Sequence, residues 1–214
     1  KRGVWATLVK DKKIIGTGYN GAASGITSCR DLGYCYYDKL ANEEFKQNIE
    51  SKFGKFYGLA KEICDKVGIK FLTSCFNADE LEMIRKYTAD IKIPGPESSN
   101  KKLVEKSIEM FDKVFISTGA SLFSEFEKYV KHENVYLLHC VSAYPCPANR
   151  ANLGRITQLK KITPRVGYSG HCEGSWDAIS AIAMGAQIVE KHFTIDQSLP
   201  FRDNKFSILP ETFA

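Results

Sequence analysis

The chain has 214 residues, 43% of them hydrophobic and 26% charged, with a formal net charge of +5 at pH 7, an ordinary globular balance with room for one sizeable domain or a small one joined to a medium one. Lys and Arg are interleaved with Asp and Glu, so no nucleic-acid stripe is indicated, whereas an anionic small substrate suits the mild positive charge. No apolar run approaches the roughly 18 residues of a membrane span and no signal peptide is recognisable, while the seven cysteines are odd in number and lie in or beside apolar runs, as reduced thiols of a cytoplasmic protein do.

The chain starts without Met on a strand-like stretch, which points to a missing upstream portion. Val4 to Leu8 and Lys13 to Gly16 read as a β-hairpin turned at Lys10-Asp11-Lys12. They lead into a glycine-rich loop, Gly16 to Gly25, that lacks the Lys-Ser/Thr of a phosphate-binding loop. Tyr36 to Lys55 is polar and charged and reads as a helical linker, dividing a segment over 1–45 from a domain over 46–214. From there β-like and amphipathic runs alternate. A helix carrying Phe56, Leu59, Ala60, Ile63 and Cys64 ends at Gly68, and Ile69 to Thr73 reads as a strand. Further strands are expected at Ile91 to Ile93, Val114 to Ser117, Val135 to Cys140, Val166 to Ser169 and Ile188 to His192. The helices between them are built around Leu81 and Ile84, Leu103 and Ile108, Leu122 and Phe126, Ile156 and Leu159, and Trp176, Ile179, Ile182 and Ala183. Six βα steps predict a parallel α/β architecture; periodicity alone does not separate an open doubly wound sheet from a barrel.

In either arrangement the strand C-termini share one face, and there this chain places hydroxyls, glycines and imidazoles: Thr73 and Ser74, Ser117 to Gly119, His139 with Ser142 and Tyr144, Ser169 with His171, and His192. Two neutral imidazoles on one face suit a divalent metal, although a His that caps a strand or bonds a buried carbonyl has the same spacing. Lys92 stands between Ile91 and Ile93, and a buried Lys needs an anion. His171-Cys172-Glu173 spells the H-x-E of zinc deaminases, but the one Pro-Cys, Pro145-Cys146, precedes it and has Asn149 where the second Cys belongs.

Two resemblances are carried by these residues. Arg2 to Cys35 resembles the opening of the deoxycytidylate deaminases, a hairpin running into Gly18-Tyr19-Asn20-Gly21 and a Cys comparable to Cys29; without the zinc motif it implies a catalytically silent remnant or graft. Val166-Gly167-Tyr168-Ser169-Gly170-His171, then Val189 to Thr194, then Leu199 to Pro210 resembles the sialic acid synthase family from about Phe56 onward. That resemblance chooses a TIM (β/α)8-type barrel, incomplete, with the six strands as the third to eighth and the hairpin in front. It implies condensation of phosphoenolpyruvate with an N-acetylated hexose, a divalent metal (Mn2+ or Mg2+) and a homodimer, with no nucleic acid or membrane partner; a noncatalytic relic of the fold and a deaminase-related protein are the alternatives. Position by position, Ser74, Ser117 and Ser169 match phosphoenolpyruvate-binding hydroxyls, Lys92 a phosphate contact, Tyr144 a tyrosine beside the substrates, Asp203 an acid on the acceptor sugar, Glu97 a proton-handling glutamate, and His171 and His192 the metal ligands. Ser142 stands among the substrate positions where the family has Asn, Gly95 where it has Ser, and Gly170 where it has an acid. The first two βα units of the family, with a Glu and a Lys of its site, are not recognisable, which implies impaired activity and exposed strand edges that the hairpin is able to cover.

Overall fold

The computed structural model describes residues 4–10, 13–20, 43–198 and 203–213. The glycine-rich loop beyond Asn20, Cys29 and Cys35, and Leu199 to Arg202 lie outside them. Strands β1 (Val4–Lys10) and β2 (Lys13–Asn20) form an antiparallel hairpin, with Gly16 and Gly18 inside β2 opposite Leu8 and Ala6 rather than in a loop. Helix α1 (Glu43–Lys66) follows and runs unbroken through residue 45, where the sequence reading divides the chain. Lys61–Asp65 and Lys66–Glu62 pairs one turn apart support its exposed side. Gly68, at φ 74°, ends it in the left-handed conformation, with the Ile69 amide closing on the Cys64 carbonyl.

Six parallel strands then alternate with helices: β3 (Thr73–Ser74), α2 (Leu81–Arg85), β4 (Asp90–Ile93), α3 (Lys101–Met110), β5 (Lys113–Ser117), α4 (Phe123–Phe126), β6 (Val135–Cys140), α5 (Gly154–Lys160), β7 (Val166–Gly170), α6 (Trp176–Ala183) and β8 (Val189–His192), before a short C-terminal α7 (Pro210–Phe213). β3 is shorter and later than the apolar run at 69–73 predicts, and Phe71 and Leu72 just before it pack on opposite sides of the sheet. The sheet order is β2-β1-β8-β7-β6-β5-β4-β3, and β1 pairs antiparallel with β8 through Ala6↔His192 to Val9↔Val189. The hairpin therefore covers the edge of β8, and the sheet curls until β2 comes beside β3, with no ladder between them. The architecture is an incomplete parallel α/β barrel.

Strand alternation divides the side chains into two sets. Outward residues such as Ile91, Ile93, Ile116, Leu137 and Val166 meet the helices in the main core, and Leu72, Phe115, Leu138 and Ile188 fill the inside. At Gly167 the inner packing leaves no room for a side chain: a Cβ would stand 2.5 Å from Leu138 Cδ2 and 2.8 Å from the Ile188 carbonyl oxygen. Helix α6 departs from its sequence pattern. Trp176, Ile179 and Ile182 are 41%, 63% and 58% exposed, and the helix buries Asp177 and Ala181 instead. Among the described residues no helix is long and apolar enough to cross a membrane.

Candidate active site

His171 directly follows β7 and His192 ends β8, both buried, and their rings lie 5.2 Å apart between centroids at 75°. Tyr144, from the loop after β6, stacks over His171 at 4.1 Å and stands 6.1 Å from His192. Phe206, in the turn Asn204–Phe206, closes the other side at 5.1 Å from His192. His171 Nδ1 lies 2.8 Å from the Val141 carbonyl, so the proton sits on Nδ1 and Nε2 keeps a lone pair for the site. Burial pushes the His171 imidazole down to about 4. Burial, and after it the neighbouring His171, pushes His192 down to about 3. Both rings are neutral near pH 7, the form that ligates metals.

The inner face below the imidazoles is polar. Register aligns Cys140, Ser169 and Glu190 in one layer across β6, β7 and β8, and Ser74 beside Lys92 across β3 and β4. Lys92 Nζ reaches Glu190 Oε1 at 3.4 Å with both side chains nearly closed to solvent. The buried Lys thus has a protein carboxylate as its anion, a partner the sequence reading did not name. The signal for Glu190 was available: it lies two residues before His192, on the same side of the strand. Glu190 Oε2 and Ser117 Oγ are buried without a hydrogen-bond partner among the described residues. Cys140 lies in the same layer, and burial pushes its thiol up to about 12, so it stays protonated.

The remaining predicted positions ring this centre. Ser142 Oγ lies 2.9 Å from where a Cβ on Gly119 would be, so glycine at 119 lets the loops after β5 and β6 converge, while a Cβ on Gly95 would stand at ordinary contact distance from the same hydroxyl. Glu97 sits in the turn Gly95–Glu97, half-buried, accepting from Asn100 Nδ2 at 3.0 Å. It is thereby held toward the start of α3. Asp203 is half-buried where the turn bearing Phe206 begins, and its carbonyl accepts from Ser207 Oγ at 2.8 Å. His139 faces outward, with Nε2 2.8 Å from the Ala151 carbonyl, and acts as a packed structural imidazole. The five described cysteines are free and buried.

Whether this set suits a divalent cation follows from its donors. Two neutral imidazoles converge, one with its tautomer fixed by a carbonyl, and a buried carboxylate oxygen without a partner lies on the same face. No group of three or more His, Cys, Asp or Glu is close enough to enclose an ion among the described residues. The arrangement fits an open site in which two imidazoles hold the ion and substrate or water oxygens complete its shell, not a closed structural one.

The NeuB family profile matches residues 40–214. The N,N'-diacetyllegionaminic acid synthase of Campylobacter jejuni is 32% identical over 184 residues, covering 80% of this chain and 55% of that protein. The N-acetylneuraminate-9-phosphate synthase of Drosophila melanogaster is 31% identical over 177 residues, covering 78% and 47%. A crystal structure of the N-acetylneuraminic acid synthetase of Leptospira borgpetersenii superposes with a TM-score of 0.70 at 33% identity, covering 75% of this chain and 59% of that one. The chain spans about half the length of the relatives it matches. With its six parallel strands, its paired imidazoles and this match over residues 40–214, the chain belongs to the NeuB family.

Proposed function

We propose that this chain carries the phosphoenolpyruvate- and metal-binding part of a sialic acid-type synthase, which joins phosphoenolpyruvate to an N-acetylated aldohexose such as N-acetylmannosamine. The observation that carries the proposal is the meeting of His171 and His192 above the inward Lys92, Glu190, Ser117 and Ser169 at the C-terminal ends of parallel strands, in a chain of this family. A Mn2+ or Mg2+ ion held by His171 and His192 would polarise the aldehyde of the sugar. Lys92, with Ser74, Ser117 and Ser169, binds and orients the phosphate and carboxylate of phosphoenolpyruvate, setting its enol carbon toward that aldehyde. Tyr144 and Phe206 wall the imidazoles and limit water there. Attack by the enol carbon leaves a cationic carbon on the phosphoenolpyruvate unit, water adds there and phosphate leaves. Glu97, once released from Asn100, handles the protons at that carbon, and Asp203 receives hydroxyls of the sugar. The family's homodimer is part of this proposal.

The antiparallel hairpin on β8 favours a second, narrower reading of the chain by itself. Two antiparallel strands do not supply the charged residues that the resemblance places on the first two parallel strands, so binding is retained and turnover is slow. The test is incubation of the chain with phosphoenolpyruvate, Mn2+ and N-acetylmannosamine, with calorimetry of phosphoenolpyruvate and Mn2+ alongside. Binding of both with turnover at least 100-fold below that of a full-length relative is expected. Absence of phosphoenolpyruvate and metal binding would sink the synthase reading; full turnover would sink the narrower one.

A further inference from the structure

The outer face of the two histidine-bearing strands holds a separate charge cluster. Lys191 Nζ, almost wholly buried, donates to the Cys172 carbonyl at 2.7 Å and to Asp177 Oδ1 and Oδ2 at 3.0 and 3.1 Å. Tyr168 donates its hydroxyl to Asp177 Oδ2 at 2.9 Å. Asp177 is fully buried in the first turn of α6, the helix that leaves Ile179 and Ile182 in solvent. A carboxylate is driven inward at that cost only where a buried cation and donors await it.

The connectivity of the cluster reaches both imidazoles. Lys191 is the residue before His192, and Cys172 is the residue after His171, so one ammonium ties together the backbone neighbours of both rings. Gly170 makes room for this: a Cβ there would stand 2.5 Å from Asp177 Oδ2 and 2.6 Å from Tyr168 Cε1. The family resemblance puts an acid at residue 170. This chain has glycine there, and a carboxylate from the neighbouring helix fills the space a side chain at 170 would take.

We infer that Asp177 is a positioning residue for the histidine pair, holding Lys191 on the Cys172 carbonyl and so fixing the separation and tilt of His171 and His192. The inference rests on the reading of those histidines as metal ligands. The test uses the whole chain, titrated with Mn2+ by calorimetry and, metal-free, followed by its imidazole 15N–1H correlation spectrum. Asp177→Asn, and Gly170→Ala, which drives a methyl into the carboxylate, should each weaken Mn2+ binding about 10- to 100-fold and shift the ring signals of both histidines. Asp177→Leu/Lys191→Met replaces the ion pair with apolar side chains, which keeps a fold stable, and should lose the same affinity. That double variant decides the matter if the single ones fail to fold. His171→Ala is the control: if it binds Mn2+ as the parent does, or if neither binds, the metal reading falls, and the metal-free spectra alone judge the positioning. Ring signals unmoved in both single variants, or a folded Asp177→Leu/Lys191→Met that binds Mn2+ at parent strength, overturn the role assigned to Asp177.

Discussion

Strands β7 and β8 carry polar residues on both faces, and the two faces use them differently. Outside, Tyr168, Lys191 and Asp177 satisfy one another almost completely within a dry helix–sheet layer. Inside, among the described residues, Glu190 keeps one oxygen without a hydrogen-bond partner, as the neighbouring Ser117 on β5 keeps its hydroxyl, and burial holds His192 neutral. A saturated polar cluster builds structure, whereas buried donors and acceptors left open at strand ends mark where a ligand completes the bonding. The same alternation that separates core from solvent in other sheets here separates a brace from a site.

The strongest way to break that contrast is to remove the imidazoles. His171→Ala or His192→Ala should weaken Mn2+ binding by more than about 100-fold, at a cost in stability of about 1–3 kcal/mol for the buried ring contacts with Tyr144 and Phe206 that are lost. Unchanged affinity in calorimetry of both variants would falsify the metal site. Next in size, Lys92→Met leaves Glu190 buried without a cation and should cost about 3–5 kcal/mol in urea unfolding. Adding Glu190→Gln should recover most of the loss; a single variant as stable as the parent means the pair is solvated.

Glu80 tests the outer layer from the other side. Burial, with Asp79 nearby, raises its carboxyl to about 7. The folded state therefore holds the proton more tightly than the unfolded one, and stability falls as pH rises from about 4.5 through 7. Glu80→Gln should stabilise the chain by about 2–3 kcal/mol at pH 8 and have little effect at pH 4.5; equal effects at both pH values would show Glu80 to be solvated. The smallest change expected is from Gly167→Ala, whose methyl meets Leu138 and the Ile188 carbonyl inside the sheet and should cost about 1–3 kcal/mol. A neutral result there would mean that the inner packing yields.

Much of this was legible from spacing. The last five strands, α3 and α5 fall where apolar periodicity puts them, because each has a single buried face or is buried on both, whereas α4 starts after Leu122, which is exposed. What was hidden required partners from elsewhere in the chain. The period of α6 predicts a helix, but its apolar residues face solvent, because Lys191 on β8 draws Asp177 inward. Glu190 looks like any strand glutamate until Lys92 arrives from the opposite side of the sheet. Gly170, which the family resemblance marks as a lost acid, becomes intelligible only beside Asp177.

The seating of the hairpin has a consequence for access. β1 is held to β8 through Ala6–Val9, while β2 merely adjoins β3, so the curled wall has a seam without a hydrogen-bonded ladder. A closed barrel admits a molecule through its mouth alone. A wall whose described strands leave one seam unlaced has a fixed place at which to part, and that place lies beside β3, which carries Ser74, rather than beside the strands that carry the imidazoles.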